Sequence, residues 1–227
     1  MSGAAGVLLV MARYPSPGAV KTRLAARTGA AAACALYRAF LADLAVRFGA
    51  GPWELVWAVT PPGSDLTRFV GAGHRQIAQR GGDLGTRMRH CFARLLSDGA
   101  ARVVMIGADA PHVADGAVRA AFAALEDHDG VLVPTRDGGY CLIGLRAPHD
   151  VFSGIRMGTA EVFARTRARF AALGLRWRAL DASFDVDELA DVVELRRLID
   201  AGEVALPRAA AVLSEWEAAG LLPPPLR

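Results

Sequence analysis

Three cationic side chains follow a short apolar segment near the start of the chain, where they could bind phosphate. The segment Gly6–Ala12 is apolar throughout, as expected for a strand covered on both faces in a parallel sheet. Arg13, Lys21 and Arg23 lie in or just after the Pro- and Gly-containing loop that follows it. Cations beside a helix start, at the carboxyl end of a strand, offer a polyphosphate both charge neutralisation and free backbone N–H groups. The spacing alone is equally compatible with an ordinary strand-to-helix connection whose cations are solvated.

This loop differs from the two best-known nucleotide-binding loops. A Walker A motif needs a glycine directly before its lysine, and Val20 stands there before Lys21. No G-x-G-x-x-G pattern follows an apolar segment, so the usual dinucleotide fingerprint is missing. Gly18 nevertheless lets the backbone turn or approach a ligand closely.

Two acidic groups could face these cations. Asp109 directly follows the apolar segment Arg102–Gly107, at the place where open α/β sheets bind their ligands. Asp185 and Asp187 alternate, so in an extended segment both carboxylates point to the same side. Each group also has a structural interpretation: Asp109 could cap the helix predicted near Ala114, and Asp187 or Glu188 could cap the helix that follows them. The residues alone leave both interpretations open.

The loop segment RYPSPGAVKTRL, residues 13–24, resembles the opening motif of a bacterial glycosyltransferase-like family, often labelled arsenosugar-biosynthesis glycosyltransferase-like. That family is similar to the 2-phospholactate guanylyltransferases and to other nucleotide-diphospho-sugar transferases. Segments at residues 79–88, 107–111, 137–140 and 184–191 match it separately. The resemblance implies a GT-A-like α/β fold, a three-layer α/β/α sandwich with a mixed, mostly parallel sheet, which binds a nucleotide through this loop.

The resemblance also implies which residues bind the nucleotide and its phosphates. They are Arg13, Gly18, Lys21, Thr22, Arg23, Gln79 and Gly85. In this group, the amide of Gln79 could recognise a base edge or a ribose hydroxyl, and Gly85 could allow close backbone approach. Asp83, in the same segment, has a strong structural interpretation as the N-cap of the helix that follows.

A divalent ion is the implied cofactor, Mg²⁺ or alternatively Mn²⁺. In the resembling family the aspartate of a G-x-D-x-P motif holds the metal, and Asp109 matches it here. Asp185 and Asp187 would complete the metal site, because one carboxylate holds a metal poorly. Mg²⁺ prefers hard oxygen ligands and keeps waters while it bridges to phosphates. The implied catalytic residues are Lys21, Arg23 and Asp109.

The segment Asp137, Gly138 and Gly139 matches a D-G-G-Y motif of the same family and is expected to bind the acceptor. Its glycines also suit a hairpin turn for purely structural reasons. The sequence departs from its relatives at Met157, where they often carry tryptophan, so the shape of the acceptor pocket is not carried over.

Two reactions fit these parts. The preferred prediction is nucleotidyl transfer from a nucleoside triphosphate to a small phosphorylated or acidic acceptor, with release of pyrophosphate. The alternative is glycosyl transfer from a nucleotide-diphospho-sugar, and a third interpretation is a nucleotide-binding protein without catalysis. Asp109→Asn separates the last from the other two.

Composition is that of a globular protein and excludes several function classes. The 227 residues are 53% apolar and 22% charged with a net charge of +3, which suits one domain over residues 1–227. Arg165, Arg167 and Arg169 are expected to form a solvated helix face, so no nucleic-acid partner is predicted. The three cysteines suggest neither a disulfide framework nor a zinc site, and the apolar N-terminal segment is too short for a membrane span. A cytoplasmic location is therefore expected, and the oligomeric state is not indicated.

Apolar segments of strand type alternate with helical patterns along the first half of the chain, which predicts a mostly parallel sheet with helices on both faces. A long helix is predicted over Thr28–Phe48, capped by Thr28. The link Thr135–Gly139 joins two predicted strands and is too short for a crossover. It predicts an antiparallel hairpin and hence a mixed sheet.

Overall fold

A seven-stranded sheet organises residues 6–222, the part of the chain that the computed structural model describes. The strand order is β3-β2-β1-β4-β6-β5-β7. In chain order the strands are β1 Gly6–Arg13, β2 Glu54–Thr60, β3 Arg75–Ala78, β4 Arg102–Gly107, β5 Gly130–Pro134, β6 Tyr140–Leu145 and β7 Trp177–Ala179.

Helices cover both faces of this sheet. They are α1 Thr22–Thr28, α2 Ala30–Gly49, α3 Thr67–Val70, α4 Leu84–Ser97, α5 Asp115–Ala124, α6 Val162–Ala172, α7 Leu189–Asp200 and α8 Pro207–Ala218. One apolar core lies between the sheet and a layer that includes α2, α5, α7 and α8. A second core lies between the opposite face and α4 and α6. The predicted three-layer α/β/α architecture is confirmed.

The sheet is mixed because of a single reversed strand. β1 pairs in parallel with β2 and β4, and β5 pairs in parallel with β7. β6 lies between β4 and β5 and is antiparallel to both. The short link at residues 135–139 therefore forms the predicted hairpin, and it places the hairpin turn beside the carboxyl end of β4.

The predicted helix start at Thr28 is wrong. Thr28 ends the short helix α1, where its hydroxyl donates to the Leu24 carbonyl at 3.1 Å. Gly29 follows with φ of 87°, a conformation that favours glycine, and α2 begins at Ala30. This break separates the loop helix α1 from the core helix α2.

Asp43 ties two helices together from the middle of α2. Its carboxylate is buried and accepts the backbone N–H groups of Arg208 at 3.2 Å and Ala209 at 2.9 Å. These donors open α8, whose own N-cap residue Leu206 provides no side-chain acceptor. A neighbouring helix thus supplies the cap that α8 lacks.

Within residues 6–222, no helix combines the length and the apolar character needed to cross a bilayer.

Candidate active site

A cleft of about 770 Å³ opens where β1 and β4 end and β6 begins. Its volume lies within the range of about 300–1,000 Å³ that is typical of ligand pockets. β1 and β4 run parallel, so their carboxyl ends meet at this edge of the sheet. The loop after β1, Asp109 after β4 and the segment before α7 all contribute to its wall. The cleft is thus where an open α/β sheet is expected to bind a ligand.

One half of this cleft, which we call the charged half, is lined by Arg13, Lys21, Arg23, Asp109, Asp185 and Asp187. Lys21 lies at its centre. Its side chain is only 1% exposed and pairs with both Asp109 and Asp187, the latter at 3.2 Å. Burial opposes the ammonium charge, but the two carboxylates outweigh it and hold the pKa of Lys21 above its usual value. Lys21 also has φ of 49° and ψ of 45°, the left-handed conformation that residues other than glycine rarely adopt.

Asp109 and Asp187 present their carboxylates to the cleft, with side chains 49% and 45% exposed. Neither caps a helix. α5 begins at Asp115, beyond Asp109, and α7 is capped by Glu188. The structural interpretation of Asp109 and Asp187 as N-caps is therefore wrong.

Asp191 forms a capping box with Glu188 at the start of α7 and fixes the acidic segment. Its Oδ2 accepts the backbone N–H groups of Asp187 at 3.0 Å and Glu188 at 2.8 Å. The Val186 N–H donates to the Asp109 carbonyl at 2.9 Å. This backbone bond places the acidic segment against the residue that follows β4. Two distant parts of the chain are therefore joined at the site.

Asp185 is the most perturbed acid of the site. Burial raises its pKa to about 7, and the charges of Asp109 and Asp187 act in the same direction, while Lys21 opposes them. Burial and the neighbouring acids together therefore disfavour the charged form of Asp185 more than Lys21 favours it.

The carboxylates fit a hydrated magnesium or manganese ion better than an enclosed metal site. Within residues 6–222, no three His, Cys, Asp or Glu side chains converge to hold a metal. Mg²⁺ usually takes one or two carboxylates together with substrate phosphates and water. The half-exposed oxygens of Asp109 and Asp187 are hard donors of that kind.

The other predicted phosphate ligands surround Lys21 at the surface. Arg13, Thr22 and Arg23 are exposed and belong to the cleft wall. The Arg13 guanidinium has one long bond, at 3.4 Å, to the Ala19 carbonyl, and Arg23 lies 3.9 Å from Glu188. These loosely held cations are the ones available to a phosphate group.

Gln79 lines the cleft, but its amide NH₂ group, which was expected to be available to a base edge or a ribose hydroxyl, is bonded to the protein itself. Its side-chain NH₂ group donates to the carbonyls of Ala12 at 3.0 Å and Ala58 at 2.8 Å. Both amide hydrogens are thereby used. Gln79 fastens the ends of β1 and β2 together, and only its carbonyl oxygen is left for a ligand.

Three predicted glycines lie off the cleft wall. Gly18 has φ of 78° and allows the loop to turn. Gly85 packs against Met157, since an added Cβ would lie 3.2 Å from the Met157 methyl carbon. Gly138 contacts backbone, because a Cβ there would lie 2.1 Å from the Ala160 carbonyl oxygen.

The predicted acceptor turn is held rigidly. Asp137 Oδ1 accepts the Thr135 hydroxyl at 2.5 Å and the Gly139 N–H at 3.1 Å, which fixes the turn internally. Asp137 and Gly139 lie on the cleft wall. The Phe163 N–H donates to the Gly138 carbonyl at 2.9 Å, so the turn and the start of α6 form one side of the cleft.

Sequence reasoning missed Tyr37 and the apolar floor of the cleft. The Tyr37 hydroxyl accepts the Arg13 N–H at 3.0 Å, and burial raises its pKa. Met11 and Met105 near the ends of β1 and β4 form part of the floor with Ile143 of β6. Their position near the carboxyl ends of predicted strands was the available signal.

Comparison with known proteins identifies the family. Residues 43–159 match the family described as "Uncharacterized protein conserved in bacteria (DUF2064)". The chain belongs to this family. Among curated proteins, none matches the chain.

A solved structure resembles this DUF2064 member over nearly all of its length. It is a protein from Desulfovibrio desulfuricans G20 that is provisionally named a nucleotide-diphospho-sugar transferase, with 34% identity and a TM-score of 0.86. The similarity covers 94% of this chain and 95% of that one.

More distant structures share the fold alone. A nucleotidyl transferase from Methanothermobacter thermautotroptrophicus has a TM-score of 0.61 at 13% identity, over 88% of this chain and all of the other. A cytidylyltransferase from Leptospira borgpetersenii has a TM-score of 0.56 at 12% identity, over 99% of both chains. The predicted GT-A-like fold of this DUF2064 protein is therefore confirmed.

Proposed function

We propose that this protein is a divalent-metal-dependent transferase that moves a nucleotidyl group from a nucleoside triphosphate to a small-molecule acceptor and releases pyrophosphate. The observation that carries the proposal is the meeting of Lys21, Asp109 and Asp187 at one point of the cleft. A metal-bound polyphosphate requires acids for the metal and cations for the phosphates within a few ångströms. This site combines both.

Different residues around Lys21 bind the donor phosphates and the metal ion. Arg13 and Arg23 are exposed and contact the donor phosphates, with Thr22 beside them. Lys21 is buried and keeps Asp109 and Asp187 in place. Asp109 and Asp187, supported by Asp185, would hold Mg²⁺ or Mn²⁺, which neutralises phosphate charge when bound.

The chemical step needs little beyond alignment. An acceptor oxygen forms a bond to the α-phosphorus while the bond from that phosphorus to the pyrophosphate oxygen breaks. Where the acceptor is a hydroxyl, its proton passes to Asp137 on the acceptor side of the cleft. Arg13 and Arg23 stabilise the charge that develops on the leaving pyrophosphate. No covalent bond to the protein is formed.

Glycosyl transfer is the second candidate, and one observation favours it. The Desulfovibrio desulfuricans protein, 34% identical, carries the name of a nucleotide-diphospho-sugar transferase. The same charged half of the cleft would then hold a diphosphate, and the leaving group would be a nucleoside diphosphate.

The two reactions differ in donor and in product. Purified protein is incubated with Mg²⁺, a panel of acceptors, and either each nucleoside triphosphate or each nucleotide-sugar. Release of pyrophosphate supports the proposal, whereas release of nucleoside diphosphate from a nucleotide-sugar supports glycosyl transfer. Donor binding without any product over the whole panel would favour a nucleotide sensor.

Thermal unfolding offers an earlier indication. A ligand at a hundred times its Kd stabilises the folded state by about 2.7 kcal/mol. Stabilisation by triphosphates but not by nucleotide-sugars is the expected result. The opposite pattern would contradict the nucleotidyl-transfer proposal.

A further inference from the structure

One half of the cleft is floored by apolar side chains from three adjacent strands. Met11 of β1, Met105 of β4 and Ile143 of β6 belong to the core on the sheet face that α4 covers. Met105 lies directly opposite Ile143 in the β4–β6 ladder. All three side chains also line the cleft. The core of this face is therefore continuous with the cleft floor.

Apolar side chains also form the walls of this half. Leu84 and Met88 of α4 line it from one side, and the Leu84 side chain is 46% exposed. Met157 lines it from another side and packs against Gly85. Methionine side chains adapt their shape to an apolar ligand. We call the region formed by Met11, Leu84, Met88, Met105, Ile143 and Met157 the apolar half.

Charge is distributed unevenly between the two halves. Among the described residues that line the cleft beside the apolar half, Arg87 carries the positive charge. Its guanidinium donates to the carbonyls of Gly81 at 3.0 Å and Gly82 at 3.1 Å. Arg87 thus stabilises the loop before α4, which contains Gly81 and Gly82. An anionic group bound against the methionine side chains would lose water, which is costly, and any contact that it made to Arg87 would compete with the bonds of that guanidinium to Gly81 and Gly82.

We propose that the apolar half binds the acceptor, and that the acceptor is an alcohol with an apolar body and not a phosphorylated or acidic molecule. The inference rests on the proposed transferase function but not on the choice of donor. The hydroxyl lies toward Asp109 and Asp137, and the alkyl or aryl body covers Met11, Leu84 and Met157, which are not fully buried. The alcohol oxygen bonds to the electrophilic atom of the donor, its proton passes to Asp137, and the phosphate leaving group departs.

The test measures binding, so that it does not require turnover. The protein is saturated with Mg²⁺ and a non-hydrolysable triphosphate analogue, and is titrated calorimetrically with 1-butanol, 1-pentanol, 1-hexanol and hexyl phosphate. Kd should fall up to about fourfold for each added methylene, the factor that corresponds to about 0.8 kcal/mol per buried CH₂. Hexyl phosphate should bind more weakly than 1-hexanol. A Kd that does not change with chain length, or tighter binding of hexyl phosphate, would overturn the inference.

Variants localise the effect. Met157→Lys should weaken 1-hexanol binding at least tenfold and reverse the preference in favour of hexyl phosphate. Leu84→Gln, at an exposed position, serves the same purpose if the first variant does not fold. Leu173→Lys is the matched control, because Leu173 is 42% exposed at the end of α6 and away from the cleft wall. Equal loss of 1-hexanol binding in Leu173→Lys and Met157→Lys would refute the assignment.

Failure of the inference can be separated from failure of the proposed function. Binding of the triphosphate analogue is measured first and without alcohol. If the analogue does not bind, the nucleotidyl-transfer proposal is wrong, and the alcohol series is repeated without it to test the apolar half alone. If the analogue binds and the alcohols show no chain-length dependence, only the acceptor assignment is wrong.

Discussion

The ammonium group of Lys21 lies 3.2 Å from Asp187 Oδ1, although 166 positions separate the two residues in the chain. With its second partner, Asp109, this pair holds together the loop after β1, the end of β4 and the segment before α7. The left-handed backbone of Lys21 costs about 1–2 kcal/mol. The ion pairs offset that cost, so Lys21 is a fixed internal cation and not a mobile surface one.

We predict that Lys21→Met has opposite effects on metal and on nucleotide. Without the ammonium, Asp109 and Asp187 keep their full attraction for a cation, so the affinity for Mn²⁺ alone should rise about tenfold or more. Affinity for a triphosphate should fall, because its binding region loses a positive charge. Calorimetry and Mn²⁺ electron paramagnetic resonance measure the two quantities. Arg27→Met, an exposed change in the same helix outside the cleft, should alter neither.

Weaker Mn²⁺ binding in Lys21→Met would require a different interpretation of Lys21. If Lys21→Met weakens Mn²⁺ binding, the ammonium is needed to hold the acids in position and does not compete with the metal.

Asp109→Asn should abolish turnover while the protein stays folded. The side chain is half exposed, so the substitution removes the charge that we propose binds the metal, without opening a cavity. We expect a loss of at least about a hundredfold in kcat, consistent with the size of single electrostatic contributions in active sites. Circular dichroism and thermal unfolding verify the fold. Asp181→Asn, at an exposed position outside the cleft wall, is the control. Unchanged turnover in Asp109→Asn would exclude its role as a metal ligand.

Gln79→Leu should destabilise the fold, because two carbonyls lose their donors. The Gln79 amide bonds to Ala12 and Ala58 are buried, and leaving a buried acceptor unpaired costs about 1–3 kcal/mol. Urea denaturation should show a decrease in the free energy of unfolding of that size. Gln76→Leu, whose amide contacts Asp65 and Thr67 at the surface, should cost less. Equal effects of both substitutions would show that the position of Gln79 between the strands is not important for stability.

His112 should make stability depend on pH below neutrality. Burial lowers its pKa to about 4, with Arg47 and Arg136 acting in the same direction. Its ring stacks on Phe184 with centroids 3.9 Å apart. Between about pH 6.5 and pH 4 the unfolded chain binds a proton that the folded one does not, so the free energy of unfolding falls as the pH falls.

The matched variant is His112→Phe, which keeps the stacking and removes the proton uptake. Wild type should lose about 2–3 kcal/mol more than the variant between pH 7 and pH 4, measured by urea denaturation. Identical pH profiles for the two proteins would contradict the prediction.

Several structural predictions from the sequence depended on strong local rules. The hairpin between β5 and β6 was predictable because the five-residue link Thr135–Gly139 cannot support a crossover. The meeting of Lys21 with Asp109 followed from the rule that parallel strands present their carboxyl ends at one edge. Asp83 was expected as the N-cap of α4, and its side chain accepts the Thr86 N–H.

Other features depended on contacts that sequence spacing does not encode. Gln79 turns inward because two strand-end carbonyls need donors, and nothing in the segment indicates that. Lys21 combines a left-handed conformation with side-chain contacts to two acids that are distant in the sequence. The division between α1 and α2 arises from one residue, Gly29, inside an otherwise helical pattern.

The carboxylate of Asp43, in α2, has its hydrogen-bond donors at the start of α8. A chain that emerges in order from the ribosome makes α2 early and α8 late, so this buried acid lacks its partners until nearly all of the described residues have been synthesised. An unpaired buried carboxylate opposes closure of the helical layer on that face, so stable closure is postponed to the end of synthesis.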